Sequence, residues 1–226
     1  MPADHDASAP RGAFITVEGG DGAGKTTLVR SLAACLSQSG HRVRVTFEPG
    51  GTELGTRLRS LVLDPELDLG DWDETWLFLA ARASHVQEVL NPALSAGELV
   101  FSDRFGDSTL AYQGYGRGLD LDRLRRLNAE ATNELQPDMT LLLDVPAEVG
   151  LARTRVRSSD GDRIGDADLA FHRRVNAGFR ALAAQDSERI TIIDASREAP
   201  TVLADAFEIV HGWLDARGND SYNVAR

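Results

Sequence analysis

The stretch FITVEGGDGAGKTT, residues 14–27, decides how this chain is read. FITVE is apolar and β-rich, and a run of glycines, an alanine and a lysine follow at once. Gly19, Gly24, Lys25 and Thr26 fit the spacing G-x-x-x-x-G-K-[ST] of a phosphate-binding loop between a strand and a helix. Glycine reaches the backbone angles that turn successive N–H groups onto one phosphate. The helix that follows adds its positive N-terminal end. Residues 19–27 (Gly19, Gly20, Asp21, Gly22, Ala23, Gly24, Lys25, Thr26, Thr27) are therefore expected to cradle a nucleoside triphosphate. Lys25 would reach the β- and γ-phosphates, and Thr26 would place its hydroxyl on Mg²⁺. Asp21 stands out, because a carboxylate in an anion-binding loop must face away from the phosphates.

Four further β-rich segments follow: VRVTF (43–47), LVFSD (99–103), MTLLLDV (139–145) and ITIID (190–194). Helical patterns separate them, and TLLLDV is almost continuously apolar, as a strand covered on both faces should be. Strands alternating with helices imply an α/β fold, a five-stranded parallel sheet with helices on both faces. Leu28, Leu32, Cys35 and Leu36 repeat at helical spacing, with Gly40 closing that helix. Trp72, Trp76, Leu79, Ala83 and Val86 form a stripe that suits either core or an interface. Residues 13–216 read as one nucleotide-kinase-like domain, with loose ends at 1–12 and 217–226. A broken helical segment around 152–166 reads as a lid.

The 226 residues carry a formal charge of −11, which opposes broad nucleic-acid or anionic-membrane binding. No apolar run approaches a membrane span. A single cysteine permits no internal disulfide and suits a reducing, cytoplasmic setting. Cys35 is expected as a small buried hydrophobe. His5, His41, His85, His172 and His211 show no metal-ligand spacing and read as structural or surface residues.

Asp103 ends the third strand and Arg104 follows. An acid there can hold Mg²⁺ through its waters, and the adjoining arginine can clamp a second phosphate. Phe78 and Arg82 lie one helical turn apart on one face. Taken together, EPGGT (48–52), DRF (103–105), AYQG (111–114) and the phosphate loop resemble thymidylate kinases from about residue 13 to about 196. The resemblance implies transfer of the γ-phosphate of ATP to dTMP, with Mg²⁺ as cofactor and a homodimer as assembly. It also implies that Phe78 stacks on thymine and that Arg82 donates to its O4, which would reject the amino group of cytosine. Thr109 and Gln113 would meet the base edge, Tyr112 would pack beneath the sugar, and Arg104 would bind the acceptor phosphate. Glu48, Pro49 and Ser108 would complete the dTMP site. Arg59 matches an arginine near the acceptor's phosphate or base, with a solvated helix face as the alternative. Asp21 matches an acid that accepts from the 3′-hydroxyl, or else one that serves magnesium.

Positions 20–23 hold no basic residue, so the transition-state cation is expected from the lid, which carries Arg153, Arg155, Arg157 and Arg163. On a regular helix Arg153 and Arg157 share a face and Arg155 points the other way. The lid reads DRIGD where similar proteins carry DRxE, leaving Gly165 in place of the glutamate. Two rival readings stay open: another nucleoside monophosphate or deoxynucleoside kinase, and a GTPase-like switch. The chain lacks the [NT]-K-x-D guanine signature of the latter.

Overall fold

A computed structural model describes residues 11–157, 163–165 and 167–223. The chain runs β1 (Phe14–Glu18), α1 (Lys25–Gln38), β2 (Val43–Phe47), α2 (Glu53–Leu63) and α3 (Asp71–His85). A π-helical turn, Val86–Leu90, joins α3 to α4 (Asn91–Ser95). Next come β3 (Leu99–Asp103) and α5 (Gly106–Thr109), which continues as a π-helical segment, Leu110–Gly116. The rest is α6 (Leu121–Thr132), β4 (Met139–Asp144), α7 (Ala147–Arg157), α8 (Leu169–Gln185), β5 (Ile190–Asp194) and α9 (Ala199–Asn223).

All five strands are parallel, in the order β2-β3-β1-β4-β5. Successive residues of β1 therefore face opposite layers. Ile15 and Val17 pack with Leu28, Leu32 and Leu36 of α1 and with Val202, Ala206 and Val210 of α9. Phe14 faces the other way, onto Val86, Leu90, Leu94 and Phe105. Beside it on that face, Leu142 of β4 joins Leu110, Tyr112, Phe171, Val175 and Phe179. β1 thus lies at the centre of the sheet with no exposed face, and its carboxyl end delivers the glycine loop where the strand order changes direction.

Two local expectations differ from what the fold does. Cys35 is only partly buried, because Val29 and Ala33 share the inner face of α1 with Leu28, Leu32 and Leu36 and rotate Cys35 toward its edge. The final helix also continues to Asn223, into the stretch expected to be a loose end. Its one proline, Pro200, stands in the first turn, where the helix tolerates it, and Arg217 lies over the Trp213 ring and pairs with Asp138 at 3.2 Å, which holds that turn on the body of the domain. Trp76, Leu54 and Leu61 remain 46%, 47% and 45% exposed on α3 and α2, so part of the tryptophan stripe is surface.

Candidate active site

The glycine loop is built by close approach. Gly22 has φ +70°, and a Cβ there would stand 2.0 Å from the carbonyl oxygen of Gly150. Gly19, at φ +139°, would meet Leu143 O at 2.4 Å. Any side chain at either position would push the loop off α7 or β4. Lys25 folds back over this loop, donating from Nζ to Gly19 O at 3.0 Å and Gly20 O at 2.8 Å. Burial, with Arg104 adding, lowers its ammonium to about 8. A phosphate anion arriving there meets a poorly solvated cation.

Thr26 and Asp103 come together from two elements: Thr26 Oγ1 donates to Asp103 Oδ2 at 2.5 Å. No cluster of three or more metal-ligating side chains occurs among the described residues. One hydroxyl and one carboxylate suit Mg²⁺, which keeps waters and takes its remaining oxygens from a nucleotide's phosphates. The donor set fits that ion.

Arg104 follows at φ +74°, a left-handed conformation that costs a non-glycine residue about 1–3 kcal/mol. Its backbone N–H donates to Val17 O, and its guanidinium spans the site. Nη1 donates to Gly19 O at 3.2 Å and Ser108 Oγ at 3.0 Å. Nη2 donates to Asp21 Oδ1 and Tyr112 Oη, both at 2.8 Å. Burial opposes the Arg104 charge, yet Tyr112, Asp21, Glu18 and Asp103 hold it more firmly protonated than usual. Beneath it, buried Glu18 accepts from Phe105 N at 2.7 Å and Ser108 Oγ at 2.6 Å, which fixes the turn. Burial and then Asp107 push the Glu18 carboxyl up to about 7.

Asp21 has one satisfied oxygen and one that is not. Tyr112 Oη also donates to its Oδ1, at 3.0 Å, while Oδ2 is buried without a hydrogen-bond partner among the described residues. Burial raises the Asp21 carboxyl, but Arg104, Lys25 and His172 outweigh that and hold it below its ordinary value. His172, expected to be structural or surface, lies with Nδ1 3.5 Å from Asp21 Oδ2. It belongs to this site.

Arg82 is 2% exposed and bound on every side. Nε donates to Glu48 Oε2 at 2.8 Å, Nη1 to Thr109 Oγ1 at 2.8 Å and Asn128 Oδ1 at 2.5 Å, and Nη2 to Phe105 O at 2.9 Å. A guanidinium has five N–H groups, so one, on Nη2, is left for a ligand in the cavity that Arg82 lines. The other Glu48 oxygen takes His85 Nδ1 at 2.8 Å. Glu48, expected at the substrate, thus orients Arg82. Asn128 was invisible as a site residue because nothing in its own helix marks it.

A cavity is lined by Asp21, Glu48, Pro49, Arg59, Phe78, Arg82, Arg104, Ser108, Thr109, Tyr112 and Gln113, together with Leu63, Ile164 and Gly165. An adjoining groove runs along Lys25, Thr26, Asp103 and Thr154. Asp21, Glu48, Arg59 and Arg104 line both and stand at their junction. Arg59 donates to Pro49 O at 3.2 Å and lies over the Phe47 ring. Beyond the loop, Thr27, Ser31, Arg153, Ala195, Ser196 and Arg197 line a further groove. There Arg153 donates to Ala195 O at 2.9 Å, which turns it away from the junction. Arg155 stands exposed on the same helix. The side chain of Arg157, residues 158–162 and Asp166 lie outside the described residues. Arg163 reaches across to Val62 O and to Glu74, a buried acid that the sequence reading passed over although it shares a helix face with Phe78 and Arg82.

Comparison with known proteins agrees with this geometry. The family model described as thymidylate kinase matches residues 17–206. A thymidylate kinase of Desulfovibrio desulfuricans is 48% identical over 212 residues, covering 91% of this chain and 98% of its own length. One from a Synechococcus strain is 52% identical over 203 residues, covering 89% and 95%. The crystal structure of a thymidylate kinase from Ehrlichia chaffeensis superposes with a TM-score of 0.73 at 32% identity, over 89% of this chain and 99% of that one. With the family model matching most of the chain and relatives near 50% identical across it, the chain belongs to the thymidylate kinases.

Proposed function

We propose that the chain carries out its family's reaction, γ-phosphate transfer from ATP to dTMP giving dTDP and ADP, with the labour divided between the cavity and the two grooves. One observation carries the assignment: Arg104, Arg59 and Asp21 line both the phosphate groove and the adjoining cavity, so a donor and an acceptor phosphate would meet there. The triphosphate would lie along residues 19–27, and its base in the groove bounded by Thr27, Arg153 and Arg197. Thr26 and Asp103 would hold Mg²⁺, which would supply positive charge to offset that of the phosphates. Lys25, freed from the Gly19 and Gly20 carbonyls, would follow the γ-phosphoryl group.

The acceptor is a phosphate oxygen, largely ionised near neutral pH, so no general base is required. Arg104 would bind and align it. Phe78 would stack on the base, Thr109, Gln113 and the remaining Arg82 N–H would meet its edge, and Tyr112 would lie beneath the sugar. Catalysis then consists of alignment and of charge stabilisation. The exposed Leu54, Leu61 and Trp76 face is where a second copy would pack, as a homodimer; light scattering checks it. No helix among the described residues is long and apolar enough to cross a membrane.

Coupled ADP release measured with dTMP, dUMP, dCMP, dGMP and UMP tests the assignment. Turnover stimulated most by dTMP is expected. Slow hydrolysis indifferent to every nucleotide would overturn it.

A further inference from the structure

Glu74, on α3, is 1% exposed, yet neither the phosphates nor the sugar require it. Its Oε1 accepts from Gln113 Nε2 at 2.7 Å, and its Oε2 accepts from Arg117 Nη2 at 3.1 Å and Arg163 Nη2 at 2.5 Å. Gln113 is itself 2% exposed and lines the acceptor cavity. A side-chain amide has a donor end and an acceptor end, and the groups around it decide which end faces a pocket. A carboxylate engaged by two guanidinium groups can only accept, so it must face the NH₂ of Gln113. The carbonyl Oε1 of Gln113 is left for the cavity.

The cavity therefore offers an acceptor at Gln113 and a donor at the remaining Arg82 N–H. A pyrimidine with an imide edge presents the complement, an O4 acceptor beside an N3–H donor. An aminopyrimidine presents the inverse, a donor amino group beside an unprotonated N3. We propose that Glu74 is the positioning residue for base selectivity: it fixes the orientation of the Gln113 amide so that imide pyrimidines pair and aminopyrimidines do not. The proposal rests on the reading that Gln113 meets the base edge.

The test measures kcat/KM for dTMP, dUMP and dCMP in wild type, Glu74→Gln, Gln113→Glu, Gln113→Ala and the reciprocal double variant Glu74→Gln/Gln113→Glu. Freed from the carboxylate, Gln113 can present either end, and the dTMP:dCMP ratio should fall about 10- to 100-fold in Glu74→Gln. The dTMP:dUMP ratio should stay within about threefold, since both bases share the imide edge. The double variant conserves net charge and exchanges the two groups: an amide at position 74 donates to a carboxylate at position 113, and an acceptor again faces the cavity. Its dTMP:dCMP ratio should return to within about fivefold of wild type. Equal loss on all three substrates in Glu74→Gln, or no recovery in a folded double variant, overturns the proposal. Gln113→Ala separates the two layers. If it leaves the dTMP:dCMP ratio unchanged, Gln113 does not read the base and both readings fail. If it lowers the ratio while Glu74→Gln does not, only the role of Glu74 fails. Should the Glu74 variants not fold, side-chain ¹H–¹⁵N spectra of the wild type decide. The Gln113 NH₂ pair, identified by its absence in Gln113→Ala, should exchange slowly with and without dTMP; exchange as fast as that of an exposed glutamine overturns the assignment.

Discussion

Replacing Asp21 by asparagine tests the acceptor site where its geometry is sharpest. Asp21 Oδ1 is engaged by Arg104 and Tyr112, whereas Oδ2 is buried without a hydrogen-bond partner among the described residues. A buried anionic oxygen without a donor is costly, and a sugar 3′-hydroxyl delivered to it would remove that cost. A hydrogen bond to a charged group contributes roughly 1.5–3 kcal/mol, or about 10- to 150-fold in kcat/KM. In the wild type, dTMP should therefore exceed 3′-deoxy-dTMP by that factor. Asparagine keeps the shape but removes the charge, and it weakens the hold on Arg104 for both acceptors alike. Comparing the two nucleotides across the two proteins cancels that shared loss and isolates the hydroxyl. The ratio should collapse to within about threefold in Asp21→Asn, measured by coupled ADP release at saturating ATP and varied acceptor. A ratio that survives the substitution would refute the argument and assign Asp21 to the metal's waters instead.

Other substitutions separate structural from chemical roles. Arg82→Met removes the cation buried against Glu48 and should lower stability by about 3–5 kcal/mol in thermal melts, part of which Glu48→Gln restores in the double variant. An unchanged melting temperature would mean that the Arg82–Glu48 pair contributes nothing to the fold. Arg153→Ala should raise the KM for ATP and leave kcat within about fivefold, because Arg153 is turned onto Ala195 and Ser196; a collapse in kcat with KM unchanged would place it on the transferring phosphate. Glu18 binds its proton more tightly when folded, with the folded value near 7 against an ordinary 4.5. Its contribution to stability is thus fully present below pH 4.5 and is lost as pH rises through 7. The stability of wild type relative to Glu18→Gln should fall across that window and level off above it. A flat difference curve from calorimetry between about pH 4.5 and 8 would contradict this.

What the sequence determined by itself was everything governed by short-range geometry. Five β-rich runs separated by helical patterns specify five parallel strands, because each intervening helix carries the chain back to start the next strand in the same direction. Gly19, Gly24, Lys25 and Thr26 announce a phosphate site because the chemistry needs those residues at those separations along one loop. Phe78 and Arg82 were legible as a pair because one helical turn places them side by side. The tertiary structure alone decided which of these groups remain available. Arg82 read as a hydrogen-bond donor to a base, but Glu48, Thr109, Asn128 and the Phe105 carbonyl take all but one of its N–H groups. Asn128 stands 46 residues from Arg82 and Glu74 stands 39 from Gln113, and no local pattern records separations of that length. His172 carries no metal-ligand spacing, yet packing of α8 against the loop brings it to Asp21. Hydrogen-bond capacity is a property of a side chain, and a sequence states it. Whether that capacity is already spent depends on which groups the fold brings within about 3 Å, and only three-dimensional packing decides that.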